Sequence, residues 1–470
     1  MAQTTDIRQI PVSSTPIPVG QELMYVVEND TAVANEARVK YCADVYIHTT
    51  TPTLTTPSTK SNGFIGTFKT TPNAAGVGMF DFRNVVENYV NSDSIASINA
   101  EYKGTANADF STPMHLIDKF SRNYNSFRYM AIQFYVEYLN KSNDQVEAIA
   151  GTEVNTTVFS IFNGYVSYID DIYVDTSVFP RIQSYADTQR FVLSSTASDQ
   201  FLTNAPVEQY ANVDDYGTVA MLLSSADLTR VKLEYTTAAG ASGGSEYINR
   251  TYADGAFDTY SIYSEKQLIY LGCFPGNLQN FSSQFVAANM LGGKIEVTPY
   301  DGVTQIGKTY TININCPNNK GYESIRLAWV NKWGAWDYYT FTKKSIRTIA
   351  AKGTTYTQLG GTWGSNFYKV ASYRGGKKSF RVNATEKITM NTGFVTENDN
   401  VMFEELINSP EVYLLKGYQS GAETTSALNR YVQPIRITSS SFTTKTIAND
   451  KLIQYTFEIE KSKMERTQSI

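Results

Sequence analysis

Two histidines, His48 and His115, are the whole imidazole complement of this 470-residue chain, so any triad or His-rich metal site has to recruit one of them. His48 ends the run ARVKYCADVYIHT beside a threonine-rich loop, and His115 lies between Met114 and Leu116 in PMHLIDKF. Neither belongs to a G-x-S-x-G elbow, an H-E-x-x-H helix or a P-loop, and both read as structural histidines. Carboxylate chemistry needs no local motif, because a glycosidase uses two acids roughly 5 to 10 Å apart. The adjacent pairs Asp170-Asp171, Asp214-Asp215 and Glu404-Glu405 are the candidates. Neighbouring side chains point to opposite faces of a strand, or about 100° apart on a helix, so adjacency alone makes no catalytic pair. Acids in a loop such as NVDDYG could hold calcium with backbone carbonyls, but EF-hand spacing is absent and solvated turns account for them. No catalytic, cofactor or metal residue is assigned, and the chain reads as a non-enzyme.

The tryptophans form the other constellation. All four, Trp329, Trp333, Trp336 and Trp363, fall in the last third, three of them around one hairpin, SIRLAWVNKWGAWDYYTFTKKSIRTI, with a turn at Lys332-Trp333-Gly334-Ala335. Indole faces stack on sugar C–H surfaces or on cations, so Trp333 and Trp336 could form a glycan platform. Alternatively Trp329 faces inward while Trp333 and Trp336 close the hairpin end as core, the more usual fate of tryptophan. The basic residues Lys343, Lys344, Arg347, Lys377, Lys378 and Arg381 could meet an acidic neighbour or phosphate, or form a solvated strand face. Trp333, Trp336, Lys343, Lys344, Lys377 and Lys378 are therefore the candidate ligand or interface residues.

The composition sets what must position these groups. Only 18% of residues are charged while 13% are aromatic, with Thr, Ser, Asn and Tyr filling the gap, a mixture that fits half-buried strands and adhesive surfaces. A net charge of −5 argues against a nucleic-acid partner. Charge is uneven: residues 320–470 hold 21 Lys+Arg and 13 Asp+Glu, the remainder 19 and 32, which suggests oriented docking or independent drift of two domains. No run approaches the roughly 18 apolar residues of a membrane span, and the first residues lack a basic, then apolar leader, so a soluble, non-exported chain is expected. Without export, the triplets Asn140-Lys141-Ser142 and Asn383-Ala384-Thr385 are chance sequons. Cys42, Cys273 and Cys316, odd in number and far apart, read as buried reduced thiols.

The periodicities predict a mainly β fold, several consecutive antiparallel β-sandwiches with one or two short helices. An N-terminal arm takes residues 1–20. A β-rich domain spans 21–150, with Val39, Tyr41, Ala43, Val45 and Ile47 on one strand face and Ile132, Phe134, Val136 and Tyr138 on another. A short helix is expected after Asp81. A β-sandwich domain spans 151–318, where short strands are broken by turn signals and AAGASGG is a flexible loop tip. A tryptophan-containing β domain spans 319–460, with a helix over 397–408 capped by Thr396 and stopped by Ser409-Pro410. A charged tail takes 461–470.

The segments IRLAWVNKWGAWDYYTFTKKS, GGKKSFRVNATEKI, FEELINSPEVYLL and VQPIRITSSSFTTKTIANDKLIQYTFEIEKS resemble uncharacterised virion structural proteins of tailed bacteriophages, especially those of marine and Bacteroidetes-type hosts. A fainter likeness covers PNAAGVGMFDFRNVVENYV and HLIDKF, and the middle resembles no named family. The resemblance implies a repeated subunit of a tail, neck, baseplate or capsid-associated layer, homo-oligomeric and in contact with other virion proteins, assembled in the host cytoplasm without a cofactor or membrane. It brings no site residues. Two other readings stand beside it: a receptor-binding adhesin for host surface glycan acting through the tryptophan region, and a glycan depolymerase using paired carboxylates.

Overall fold

The computed structural model describes residues 4–11, 16–50, 52, 54, 60, 62–96, 112–123, 125–165, 190–194, 197–223, 228–250, 268–316, 321–416, 431–446 and 452–466. The fold is mainly β, several antiparallel and mixed sheets with a few short helices. It divides into two compact units. The first holds Met1–Cys316 together with Val330–Asp337, and the second holds Pro317–Trp329, Tyr338–Ser420 and Asn429–Ile470.

In the first unit, the alternation read between Val39 and Ile47 becomes the strand Ala37–His48, which pairs antiparallel with Phe127–Asn140 at the centre of a seven-stranded sheet. The inward set Tyr41, Ala43, Val45, Ile47, Ile132, Phe134 and Val136 is buried. It packs on Tyr25, Val27 and Phe80 from a three-stranded sheet. Rings cross between the two layers, Tyr25 to Phe134 at 5.8 Å and Phe80 to Phe134 at 5.6 Å. Each such ring contributes about 1.5–3 kcal/mol by leaving water. The expected helix after Asp81 is one α-turn, Arg83–Val86, continued as Glu87–Tyr89, with an Asp81 carboxylate oxygen accepting the Arg83 N–H at 3.0 Å.

Two sequence boundaries fail here. The expected arm of residues 1–20 supplies the strand Asp6–Gln9, paired with Met24–Glu28, and Ile17–Pro18, laid parallel on Phe159–Phe162. The expected break at 150 is crossed in both directions: Val154–Asn155 and Phe159–Phe162 pair with Phe127–Asn140, and Phe120–Arg122 pairs with Leu268–Gly272. Backbone groups at strand edges need partners, and local periodicity does not say which later strand supplies them. The remaining strands form a four-stranded sheet and a six-stranded one centred on Lys294–Asp301. Not every pairing is antiparallel, since Glu208–Ala211 runs parallel to Tyr310–Ile314. Nor is AAGASGG all loop: Gly240, at φ +77°, makes the turn, and Ser242–Asn249 is already strand.

A seven-stranded sheet, all but Val330, Trp336 and Asp337 of it in the second unit, runs in the order Trp336–Phe341, Ile325–Val330, Val412–Leu415, Val432–Ile437, Thr456–Lys461, Gly376–Asn391 and Ser345–Gln358. Its two outermost strands are joined by residues 342–344 alone. Four Cα steps reach at most about 15 Å, whereas six strand spacings would hold the edges of a flat sheet roughly 29 Å apart. The sheet therefore curls until its edges approach. Phe341 and Phe457, four strands apart in the order, confirm this with ring centroids at 5.8 Å. The predicted helix fills the inside, as a turn Glu397–Asp399 closed by a Thr396–Asp399 capping box and the α-helix Asn400–Asn408. Its Phe403 meets Tyr339, Tyr455 and Phe457 at 5.0, 5.6 and 5.5 Å. The charged tail is held at its start: Lys461 pairs with buried Glu386, and Glu465 exchanges backbone hydrogen bonds of 2.8 and 2.9 Å with Ala384.

Candidate functional site

The structure separates the sequence's candidates. Trp333 and Trp336 are core residues of the first unit, 1% and 2% exposed, so neither offers a face to a sugar and the platform built on them is withdrawn. The reason lies in the turn they occupy. Asn331 accepts the N–H groups of Trp333 and Ala335, both at 3.0 Å, and donates to the Leu202 carbonyl at 3.0 Å. Gly334, at φ +73°, lies so close to Asn163 that a Cβ would stand 1.7 Å from its carbonyl oxygen. Trp333 packs on Phe191 at 4.9 Å, while Trp336 donates its Nε1–H to the Asp93 carbonyl at 2.8 Å and meets His115 edge-on at 4.6 Å. His115 is thereby explained as a buried ring partner. His48 ends its strand with Nδ1 accepting the Thr50 N–H at 3.1 Å.

The carboxylate pairs do not converge. Asp214 is exposed while Asp215 is buried and accepts the Asn212 N–H at 2.7 Å; Glu404 is exposed and Glu405 buried. Asp170-Asp171 lies outside the described residues. Among the described residues no group of three or more His, Cys, Asp or Glu is placed to hold a metal, and no helix is long and apolar enough to cross a membrane. Cys42 and Cys273 are buried, and burial pushes the Cys42 thiol up to about 12, but Cys316 is exposed, against expectation.

Lys343, Lys344, Lys377 and Lys378 lead elsewhere. Ser345–Gln358 and Gly376–Asn391 pair along fourteen positions, from Ser345–Met390 to Gln358–Gly376. Only residues 387–391 of the returning strand pair with the next strand of the sheet. Past that point the two strands continue as a ribbon, with the small hairpin Gly361–Trp363 and Tyr368–Val370 in the connection between them. Threonines and β-branched residues favour the extended backbone, and Gly375 and Gly376, at φ +90° and +78°, supply the left-handed positions of the return. A strand on a core alternates buried and exposed; residues 346–355 are exposed throughout. Both ribbon faces meet solvent.

Those faces differ. Lys352, Thr354 and Tyr356 share one, with Arg381 opposite Thr354 and Lys378 opposite Tyr356, so cations, hydroxyls and an aromatic ring alternate there. The other carries Ile349, Ala351 and Gly353 with Glu386, Ala384 and Val382 across from them, Ile349 being 64% exposed, and past the bulge it continues with Thr355 and Thr357 opposite Ser379 and Lys377. Phe380 is the extra residue of a bulge, which re-aims the strand next to it. The distal hairpin and its flanks expose Leu359, Trp363, Phe367, Tyr368, Val370 and Tyr373, Trp363 at 72%.

Residues 338–385 contain nine Lys+Arg and no Asp or Glu. Of the nine, Arg347 pairs with Glu323 and Glu386, while the other eight have no ion pair among the described residues. Lys369 and Arg374 instead lie over Phe367 and Tyr373, at 5.4 and 5.6 Å. An acid-free run of cations focuses positive potential on a surface that also offers apolar contact. Sequence reasoning found Lys377 and Lys378 here but missed Lys352, Lys369, Arg374 and Trp363; the signal available was the acid-free interval itself.

No family model matches this sequence, and no curated protein matches it. Among solved structures, the native conformation of Escherichia coli α2-macroglobulin aligns at 6% identity over 83% of this chain and 22% of that one, with a TM-score of 0.18. Salmonella α2-macroglobulin reacted with methylamine aligns at 6% identity over 100% of this chain and 30% of that one, again at 0.18. This chain spans less than a third of either protein, and scores of that size assign neither fold nor function.

Proposed function

We propose that this chain is a structural subunit of a bacteriophage particle, in a tail, neck or capsid-associated layer, and that it works through protein–protein interfaces and not by catalysis. The observation that carries the interface reading is the ribbon, exposed on both faces, with Ile349, Ala351 and Val382 on one and Lys352, Arg381 and Lys378 on the other. A two-stranded hairpin is marginal alone in water, and a ribbon of this length with apolar side chains in solvent calls for a covering surface. The resemblance of the segments around it to phage virion proteins supports the particle, and the low-charge, Tyr-rich composition fits a chain whose neighbours are proteins.

The test is assembly. Light scattering and negative-stain microscopy of the purified protein should show oligomers of defined number, dissolved by salt because exposed charges are screened. Replacing residues 352–383 by Asn-Gly, which closes the ribbon at the Ala351–Ala384 pair, should leave a folded protein that no longer assembles. A monomer at every concentration and salt contradicts the reading.

A glycan-binding adhesin remains the second reading, and one observation favours it: Trp363 is open to solvent beside Tyr368 and Phe367. Binding of host polysaccharide that is lost in Trp363→Ala with unchanged folding would shift the assignment to it.

A further inference from the structure

The assembly reading leaves the ribbon's partner unnamed, and the chain's own charges supply one. We infer that the ribbon of one copy docks on the acidic first unit of a second copy of the same chain. The inference rests on that assembly reading and deepens it.

Residues 1–316 carry 19 Lys+Arg against 32 Asp+Glu, and residues 338–385 carry nine against none. Part of each excess lies exposed among the described residues. Glu36, Glu87, Asp144, Glu208, Asp214 and Asp301 of the first unit are exposed and have no ion pair among the described residues, as is true of Lys352, Lys369, Arg374, Lys377 and Arg381 of the ribbon. Charges that find no partner within a chain are complementary between chains, and complementary patches steer encounter and fix which surfaces meet. Ile349 and Val382 on the other face, and the bulged Phe380, then supply contact that charge alone does not. The cations and the acids sit on different units, so two copies either dock reciprocally as a two-fold pair or, unreciprocated, close a ring or extend a filament.

Mixed isotopes test it. Copies grown on light and heavy nitrogen are combined and coupled with a carbodiimide, which joins amines to carboxylates directly. The expected products link Lys352, Lys369, Lys377 or Lys378 of one isotope to Asp or Glu of residues 1–316 of the other. In parallel, Lys352→Glu, Lys377→Glu, Lys378→Glu and Arg381→Glu are combined in one variant. All four side chains lie on the ribbon outside any core, so its circular dichroism and Tm should match the parent, while association weakens about 100-fold or more.

Association that persists in the fourfold variant, or links confined to one isotope, overturns the inference and leaves the assembly reading standing. A parent protein that never associates overturns both. A monomeric parent that binds a fluorescent oligonucleotide or an acidic polysaccharide, and loses it in the fourfold variant, assigns the ribbon to a polyanion in place of a second copy.

Discussion

Arg347 holds two carboxylates at once, Glu323 and Glu386, its Nε lying 2.9 Å from the Glu323 carboxylate. It stands where the ribbon leaves the curled sheet, and Lys461 completes the group by pairing with Glu386 from the neighbouring strand. Beyond this anchor no carboxylate meets the ribbon's cations among the described residues. The contrast divides the cations of the ribbon into one that positions it and the rest, which no carboxylate meets among the described residues.

The anchor predicts an acid sensitivity. Burial pushes the Glu386 carboxyl up, but Lys461 and Arg347 outweigh it and hold the group below its ordinary range. A depressed carboxylate stabilises the fold above its unfolded value, and that contribution is lost as pH falls through the ordinary range and below. Glu386→Gln, which leaves Lys461 facing a neutral partner, should cost about 1–3 kcal/mol at neutral pH and flatten the acid limb of an unfolding curve.

Asp337 predicts the opposite slope in the first unit. Burial pushes its carboxyl up to about 7, against hydrogen bonds from Thr203, 2.6 Å away, and Asn331 that favour the charged form. The folded value lies above the unfolded one, so the fold holds the proton more tightly than the unfolded chain. The contribution is present at and below the ordinary carboxylate range and is lost as pH rises through about 7. Asp337→Asn should therefore gain stability relative to the parent between pH ~5 and ~8, by on the order of a few kcal/mol, as thermal unfolding at a series of pH values would show.

The hairpin turn in the first unit predicts folding defects without a binding phenotype. Trp333→Ala and Trp336→Ala each remove a ring at most 2% exposed and should cost about 3–5 kcal/mol in denaturant unfolding. Gly334→Ala should be worse, since its Cβ would overlap the Asn163 carbonyl, in a residue held by its N–H to the Ser126 carbonyl at 2.9 Å. A folded Gly334→Ala protein with parental stability would contradict this packing.

Trp363→Ala, by contrast, should leave Tm within about 1 °C of the parent, because substitutions away from buried features change stability little. Its readout is binding. Reduced association points to the ribbon end as part of the interface, and a destabilised protein would show that the exposed ring is mistaken.

These elements also mark how far the sequence could be read. Alternation at Val39, Tyr41, Ala43, Val45 and Ile47 declared a strand by its period of two, although residues 41–47 are buried on both faces, and the helix over 397–408 was legible from its capping residues and the Ser409-Pro410 stop. The boundary after Cys316 lies beside the change in composition near residue 319. The ribbon was hidden because, with both faces in solvent, residues 346–355 carry no burial period. Trp333 and Trp336 were ambiguous because burial in a turn depends on Asn163, Phe191 and Asp93, distant residues that no local pattern announces. The strand exchange across residue 150 was illegible for a similar reason, since partner choice is set by the whole sheet.

Sedimentation velocity of the parent and the fourfold charge-reversed variant, each at low and high salt, tests the central claim most directly. The account predicts concentration-dependent oligomers for the parent at low salt, dissociation at high salt, and a monomer for the variant throughout. Identical sedimentation of the two proteins at low salt would contradict the ribbon as the surface through which this chain acts.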